Sequence, residues 1–453
     1  MDPAAAPSPV PPSSTGLAPP PSLADLARVF ARIGILSFGG PAAQIALLHR
    51  VARDERNWVD EGEYLRALSF CMLLPGPEAM QLATWIGWRL RGTPGGLIAG
   101  GLFVLPGALV VLALSGLYAG FGGVAPVAAL FVGVQAAVIA IVAQALLRLS
   151  RRVLVTGWAR GVALAAFVGL FALNLPFPAI LIAAALTGAL ATAGPVAPSP
   201  GRVQGRAPGG MFPRAVALWL AVWLLPLAAL FGLAAAFPAV PGLERLAEIG
   251  AFFSRLAALS FGGAYALLAW MSQELVAARG WLTAAQMMDG LALAETTPGP
   301  LILVNQFAGF MAGYQAGGWA LALAGAAVAL WMTFAPSFLF IFAGAPFIAR
   351  LTEAPRLAGA LSAITAAAVG VIANLSLWFA LHALFAAHSV VAAGPLRMTL
   401  PVPASLNPLA ALIAVVAALA LIWRGWPLWR VLALSGALAL LLPSALPALA
   451  VAR

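Results

Sequence analysis

Two glutamates stand beside two copies of one tripeptide in stretches that are otherwise apolar. Glu78 directly follows Pro75-Gly76-Pro77, and Glu295 lies three residues before Pro298-Gly299-Pro300. A carboxylate at membrane depth is unfavourable and is usually retained for function, because burial suits it to taking up and releasing a proton. Two prolines one residue apart break a helical ladder. A broken helix offers bare N–H groups and the positive end of a helix dipole, which together suit an oxyanion. In hydrocarbon such a break is tolerated where it faces protein or a polar cavity. The chemistry within reach is anion binding by backbone at the two breaks, with Glu78 and Glu295 as proton-coupling groups. A duplicated kink without a ligand, and carboxylates placed at helix ends in the interface, are the competing explanations.

The scarce amides and hydroxyls gather at the same places. LLPGPEAMQLATWIGW carries Gln81, and LAETTPGPLILVNQFAGF carries Thr297, Asn305 and Gln306. A second motif, SFGG, stands at Ser37–Gly40 and again at Ser260–Gly263. It adds Ser37, Gly39, Gly40 and the following Gln44 in the first copy, and Ser260, Gly262 and Gly263 in the second. Paired glycines permit an unusual turn or a close helix approach. Ligand lining and helix packing both fit this motif. Downstream of each copy runs a mixed-charge stretch, RVARDERNWVDEGEYLRALSF and SQELVAARGWLTAAQMMDG, that reads as interfacial and amphipathic. Solvated loop charge explains it; so does a vestibule that gathers an anion, with Arg53 and Arg279 as its cations.

The elements that must position these groups are membrane helices. Of 453 residues 63% are hydrophobic and 8% charged, which leaves too little polar surface to cover a large soluble core. The net charge of +10 comes from arginines between apolar runs, as a positive-inside bias would place them, so nucleic acid is not an expected partner. Cys71 is the single cysteine, and His49, His382 and His388 match no metal spacing. There is no GxxxxGK[ST], so an ion gradient or a partner must supply any energy. No metal, cofactor or catalytic residue is expected. An intramembrane enzyme would need a nucleophile with a base, and none is evident.

SFGG, Trp58/Trp281, PGP and Arg32/Arg255 all recur at an offset of 223 residues. Four matches in one register argue a duplication. The expected organisation is a Pro/Ala-rich disordered tail (1–22), a first membrane repeat (23–194), a Pro/Gly/Arg-rich linker (195–212), a spacer helix (213–245) and a second repeat (246–450). The fold class is an all-α polytopic membrane protein with 10 to 13 crossings. The spacer would invert the second repeat if it makes the number of preceding crossings odd.

These motifs resemble the chromate ion transporter family in its long two-domain bacterial form. The resemblance rests on SFGGP with Gln44, Arg53 and Trp58, then LLPGPEAMQLATWIGW, and on SFGGAYALLAWM, Trp281, GLALAETTPGPLILVNQFAGF and FAPSFLFIFAGAPF around Pro336. It implies a multi-pass inner-membrane secondary carrier that exports chromate, is driven by the proton motive force through antiport or proton gating, and confers chromate resistance. Sulfate or another oxyanion is the alternative cargo, and a non-transporting membrane scaffold the alternative function. Membrane lipid, and a second copy in a homodimer, are the other partners implied. Ala264 stands where the first copy has Pro41, so the two halves are not interchangeable.

Overall fold

The computed structural model describes residues 17–191, 212–261, 263–345, 354–394 and 396–445. The expected tail up to residue 16, most of the expected linker, Gly262 and the last residues of the second repeat lie outside them.

The first half begins with α1 (Leu23–Leu36), capped by the Ser22 hydroxyl, which accepts from the Asp25 N–H at 3.1 Å. The apolar stretch then turns at Ser37–Gly39 before α2 (Gly40–His49) starts. Gly39 and Gly40 have φ of +89° and +77°, a region that favours glycine. SFGG is therefore a helix break in its own right, the unusual turn among the two alternatives its paired glycines permit. The second copy breaks the same way between α9 (Leu243–Ala258) and α10 (Ala264–Met271), after α8 (Phe212–Ala236).

Both short helices widen into π-turns, Arg50–Glu55 and Ser272–Ala278. Each turn ends with a positive-φ residue, Asn57 at +48° and Gly280 at +61°. The next residue is a buried tryptophan whose N–H reaches back six positions, Trp58 to Ala52 at 2.8 Å and Trp281 to Leu275 at 2.7 Å. α3 (Glu61–Leu73) and α11 (Ala284–Thr296) follow, capped by Asp60 and Thr283 at equivalent positions.

Beyond the PGP tripeptides come α4 (Glu78–Phe121) and, after a 3-10 turn at Leu301–Leu303, α12 (Val304–Gly317) and α13 (Trp319–Gly344). α4 is itself two helices, kinked at Arg91 and at Gly92, which has φ +63° and ψ −157°. Gly318, between α12 and α13, has nearly the same angles, +76° and −155°.

The last helices exchange partners. In the first half these are α5 (Ala125–Val153), α6 (Gly157–Phe171) and α7 (Phe177–Ala191); in the second, α14 (Pro355–Leu384), α15 (Pro408–Ala418) and α16 (Leu428–Ala445). α6 and α7 pack on α14, whereas α15 and α16 pack on α5, and α5 and α14 pack on each other. Close approach needs small residues. A Cβ on Gly370 would fall on the Ala163 carbonyl, and one on Gly133 on the Ser435 carbonyl. Between α14 and α15 an exposed antiparallel hairpin, β1 (His388–Ala393) and β2 (Leu396–Pro401), departs from the purely helical expectation. Five of the described helices are long and apolar enough to cross a membrane, and four shorter apolar ones accompany them.

Gly370→Ala should strain the α14–α6 contact and lower stability by about 1–3 kcal/mol. Thermal unfolding of the detergent-solubilised protein checks it; an unchanged midpoint would mean that the helices have room to part there.

Candidate functional site

A cavity of about 40 Å³ lies where the two halves meet. By volume it has room for roughly three waters. Its wall is built from four helix starts. Pro41 and Gln44 come from α2, Glu78 and Ala79 from α4, Ala264 and Leu267 from α10, and Leu301 and Ile302 from the turn leading into α12. Gly76, Pro77, Ser260, Gly263 and Pro300 complete it. None of the four starts has a side-chain cap. Their first-turn N–H groups lack intrahelical partners, and each start carries the positive end of a helix dipole. Glu78 is the only charged residue in the lining among the described residues.

The PGP glycines do something other than present their N–H groups to a ligand. The Gly76 N–H donates to the Ser260 carbonyl at 3.2 Å, and the Gly299 N–H to the Ser37 carbonyl at 3.0 Å. Each break is thus held by the SFGG turn of the other half. The backbone donors left unpaired are those of the helix starts that follow the tripeptides, while Gly76, Pro77 and Pro300 themselves remain in the cavity lining. Gln44 tightens the second clamp, its Nε2 donating to the Gly299 carbonyl at 2.6 Å and to that of Ser37 at 3.1 Å. Gln81 does the same locally, donating to the Pro75 carbonyl at 2.6 Å.

The glycines are also steric necessities. Gly76 has φ +120°, and a Cβ there would stand 2.6 Å from Gln81 Nε2 and 2.8 Å from Ser337 Oγ. Gly299 has φ +95°, and its Cβ would meet Leu303 Cδ1 at 2.9 Å. Beside it Gly107 leaves no room for a Cβ against the Pro298 carbonyl. Gly107 of α4 therefore backs the second break, and Ser337 of α13 backs the first.

Several expected site residues sit behind the cavity wall. Gln81, Thr297, Asn305 and Gln306 are buried and do not line it. Thr297 Oγ1 donates to Ala294 O at 3.1 Å, and Asn305 Nδ2 to Thr333 Oγ1 at 3.0 Å. The amide oxygens of Gln81, Asn305 and Gln306 have no protein partner among the described residues. Glu295 does not line the cavity either; it accepts a short hydrogen bond from the Tyr265 hydroxyl. Arg53 and Arg279 are already engaged, Arg53 with Asn57 (2.7 Å) and Glu61 (3.8 Å), Arg279 with Glu274 (2.8 Å), Glu248 (3.6 Å) and the Trp281 ring.

One buried carboxylate escaped the sequence reading, which put it in an interfacial stretch. Asp289 on α11 is only 2% exposed. It accepts from the Tyr118 hydroxyl of α4 at 2.8 Å and from Gln135 Nε2 of α5 at 3.0 Å. No ion pair involves it among the described residues.

The family model for the chromate transporter matches this chain twice, over residues 24–189 and 247–440. The chain belongs to the chromate transporter family. It is 33% identical over 368 residues to the chromate transport protein of Pseudomonas aeruginosa, covering 80% of this chain and 82% of that protein. It is 32% identical over 364 residues to a probable chromate transport protein of Synechococcus elongatus (78% and 83%). With the chromate transport protein of Cupriavidus metallidurans it shares 30% identity over 372 residues (81% and 86%). No solved structure matches it. Chromate transporter membership makes the chain a multi-pass transport protein of the bacterial inner membrane and not an enzyme. Each family match contains one SFGG turn and one PGP break, so the cavity lies between the two matched regions.

Two predictions follow from this geometry. Gly76→Ala should cost about 1–3 kcal/mol of backbone strain and contact, seen as a lower unfolding temperature with the protein still inserted. Wild-type stability would mean that Gln81 and Ser337 move aside. Tyr118→Phe and Asp289→Asn should be coupled in a double-mutant cycle by about 0.6–1.7 kcal/mol, the range for hydrogen bonds within membranes. Additive effects would show the bond to be energetically idle.

Proposed function

We propose that the protein exports chromate as a secondary carrier and that the central cavity is where the dianion sits. The observation that carries this reading is the convergence of four uncapped helix starts on one small space between the halves. Each start is equivalent to roughly half a positive charge, so four supply roughly two, the complement of a dianion. Backbone dipoles recognise charge and tetrahedral shape and not the central atom. Chromate as cargo therefore rests on the names of the relatives, and sulfate is the expected competitor.

The two matched regions are read as inverted repeats. Support comes from the reciprocal Gly76–Ser260 and Gly299–Ser37 bonds, the matching angles at Gly92 and Gly318, and the crossed packing of the terminal helices. α8 has no counterpart in the first half and is the crossing that would turn the second half over. Inversion also rationalises the glutamates. One lies after its tripeptide and the other before, so in oppositely directed halves both fall on the same side of the breaks.

Glu78 faces the cavity, and its ionised form would repel a dianion there. A protonated Glu78 and the anion can occupy the cavity together, which favours proton-gated export over strict antiport. The driving force is then electrical. Outward movement of two negative charges gains roughly 4.6 kcal/mol per 100 mV of inside-negative potential. Glu295, held by Tyr265 outside the lining, would tune the gate and not form it.

Purified protein in liposomes should move labelled chromate with the potential, and sulfate should compete. Absence of protein-dependent flux at any potential would remove the transporter reading and favour a scaffold. Glu78→Gln should flatten the pH profile at clamped potential, and Glu295→Gln should change it less. If Glu78→Gln keeps the wild-type profile, the gate assignment fails and ungated uniport is the better account.

A further inference from the structure

A second cavity, of about 120 Å³, lies between α1 and the α2 limb and shares no lining residue with the central one. Its polar side is four arginines, Arg28 and Arg32 from α1 and Arg50 and Arg56 from the π-turn and its end. Three are partly engaged. Arg28 pairs with Asp25 at 2.8 Å, Arg50 leans on Glu55 at 3.4 Å, and Arg56 lies over the Trp58 ring at 5.7 Å. Arg32 has no hydrogen bond or ion pair among the described residues. Against four cations stand Glu55 in the lining and Asp25 beside it, an excess of two positive charges (4 − 2). The rest of the lining is apolar and includes Val29, Ile33 and Leu47.

Solvated positive-inside charge accounts for arginines at an interface. It does not account for four of them around one cavity, where like charges repel. The duplicated unit does not require the cluster either. At the offset of 223 the corresponding residues are Ala251, Arg255, Gln273 and Arg279, so only two of the four are basic. The cluster thus belongs to one face of the molecule. Guanidinium forks match a tetrahedral oxyanion, and a basic pocket with an apolar wall matches a phosphate that carries acyl chains.

We propose that this cavity binds the phosphate of an anionic phospholipid, with Arg32 and Arg56 as its principal ligands and the Val29–Ile33–Leu47 wall against the glycerol and first methylenes. A free tetrahedral oxyanion shares the headgroup chemistry, and the apolar wall is what favours the lipid. The test uses the purified full chain in detergent, with phosphatidylglycerol or phosphatidylcholine added and retained lipid counted by native mass spectrometry. Wild type should retain phosphatidylglycerol preferentially, and the double variant Arg32→Gln/Arg56→Gln should weaken that retention roughly tenfold or more. Arg148→Gln/Arg152→Gln, which removes the same charge elsewhere, is the control and should retain it. Equal retention of the two lipids, or equal loss in the control, overturns the site. Inorganic sulfate should fail to displace the lipid; displacement that depends on Arg32 and Arg56 would show a free-oxyanion site and overturn the lipid assignment. No flux is measured, so either result leaves the chromate reading to its own experiment.

Discussion

The structure depends on a pair of exchanged backbone hydrogen bonds. Breaking a helix inside hydrocarbon strands polar groups that cost several kcal/mol each when left bare. Here each half opens its helix at PGP, and the other half's SFGG turn accepts the glycine N–H. Neither break is self-sufficient. The composition of both motifs follows: glycine for positive φ at the break, a turn that frees the serine carbonyl, and Gln44 to hold the second pairing. Gly107 then stands directly behind the second break and Ser337 behind the first.

On the proposed reading, this arrangement separates holding the break from serving a ligand. With the glycine N–H groups occupied, the unpaired donors are those of the following helix starts, and these are what the cavity collects. The field inside is therefore made by fixed dipoles, with no arginine or lysine in the wall. For the proposed dianion, such a field would need no side chain to reorganise. It also leaves a single carboxylate, Glu78, as the group whose charge can alter it.

Much of this was legible in the sequence, and what was not has physical reasons. The duplication, the helical membrane class and the breaks at PGP follow from spacing and from what proline does to a helix. That SFGG is also a break is undecided in the sequence between a turn and a close helix contact, because glycine and serine suit both. The cavity wall was hidden more deeply. Ala79, Ala264, Leu267, Leu301 and Ile302 bring backbone to the site, and their side chains carry no chemical signature. Gln81, Asn305 and Gln306 carried such a signature and are buried outside that lining. Asp289 looked like loop charge because its partners Tyr118 and Gln135 are 171 and 154 residues away along the chain.

The crossed packing of the terminal helices has a consequence for how the protein is made. α5 ends at Val153, and its partners α14 to α16 begin at Pro355, 202 residues later (355 − 153). At about 5–20 residues per second the ribosome needs roughly 10–40 s even to reach the first of them. Through that interval α5 is a finished helix waiting for its neighbours. In water an apolar helix so exposed would aggregate; in a bilayer it rests against lipid tails as apolar as itself. The membrane is thus a waiting room as well as a destination, and a chain released before α14 would leave α5, α6 and α7 all without the surface they were built to meet.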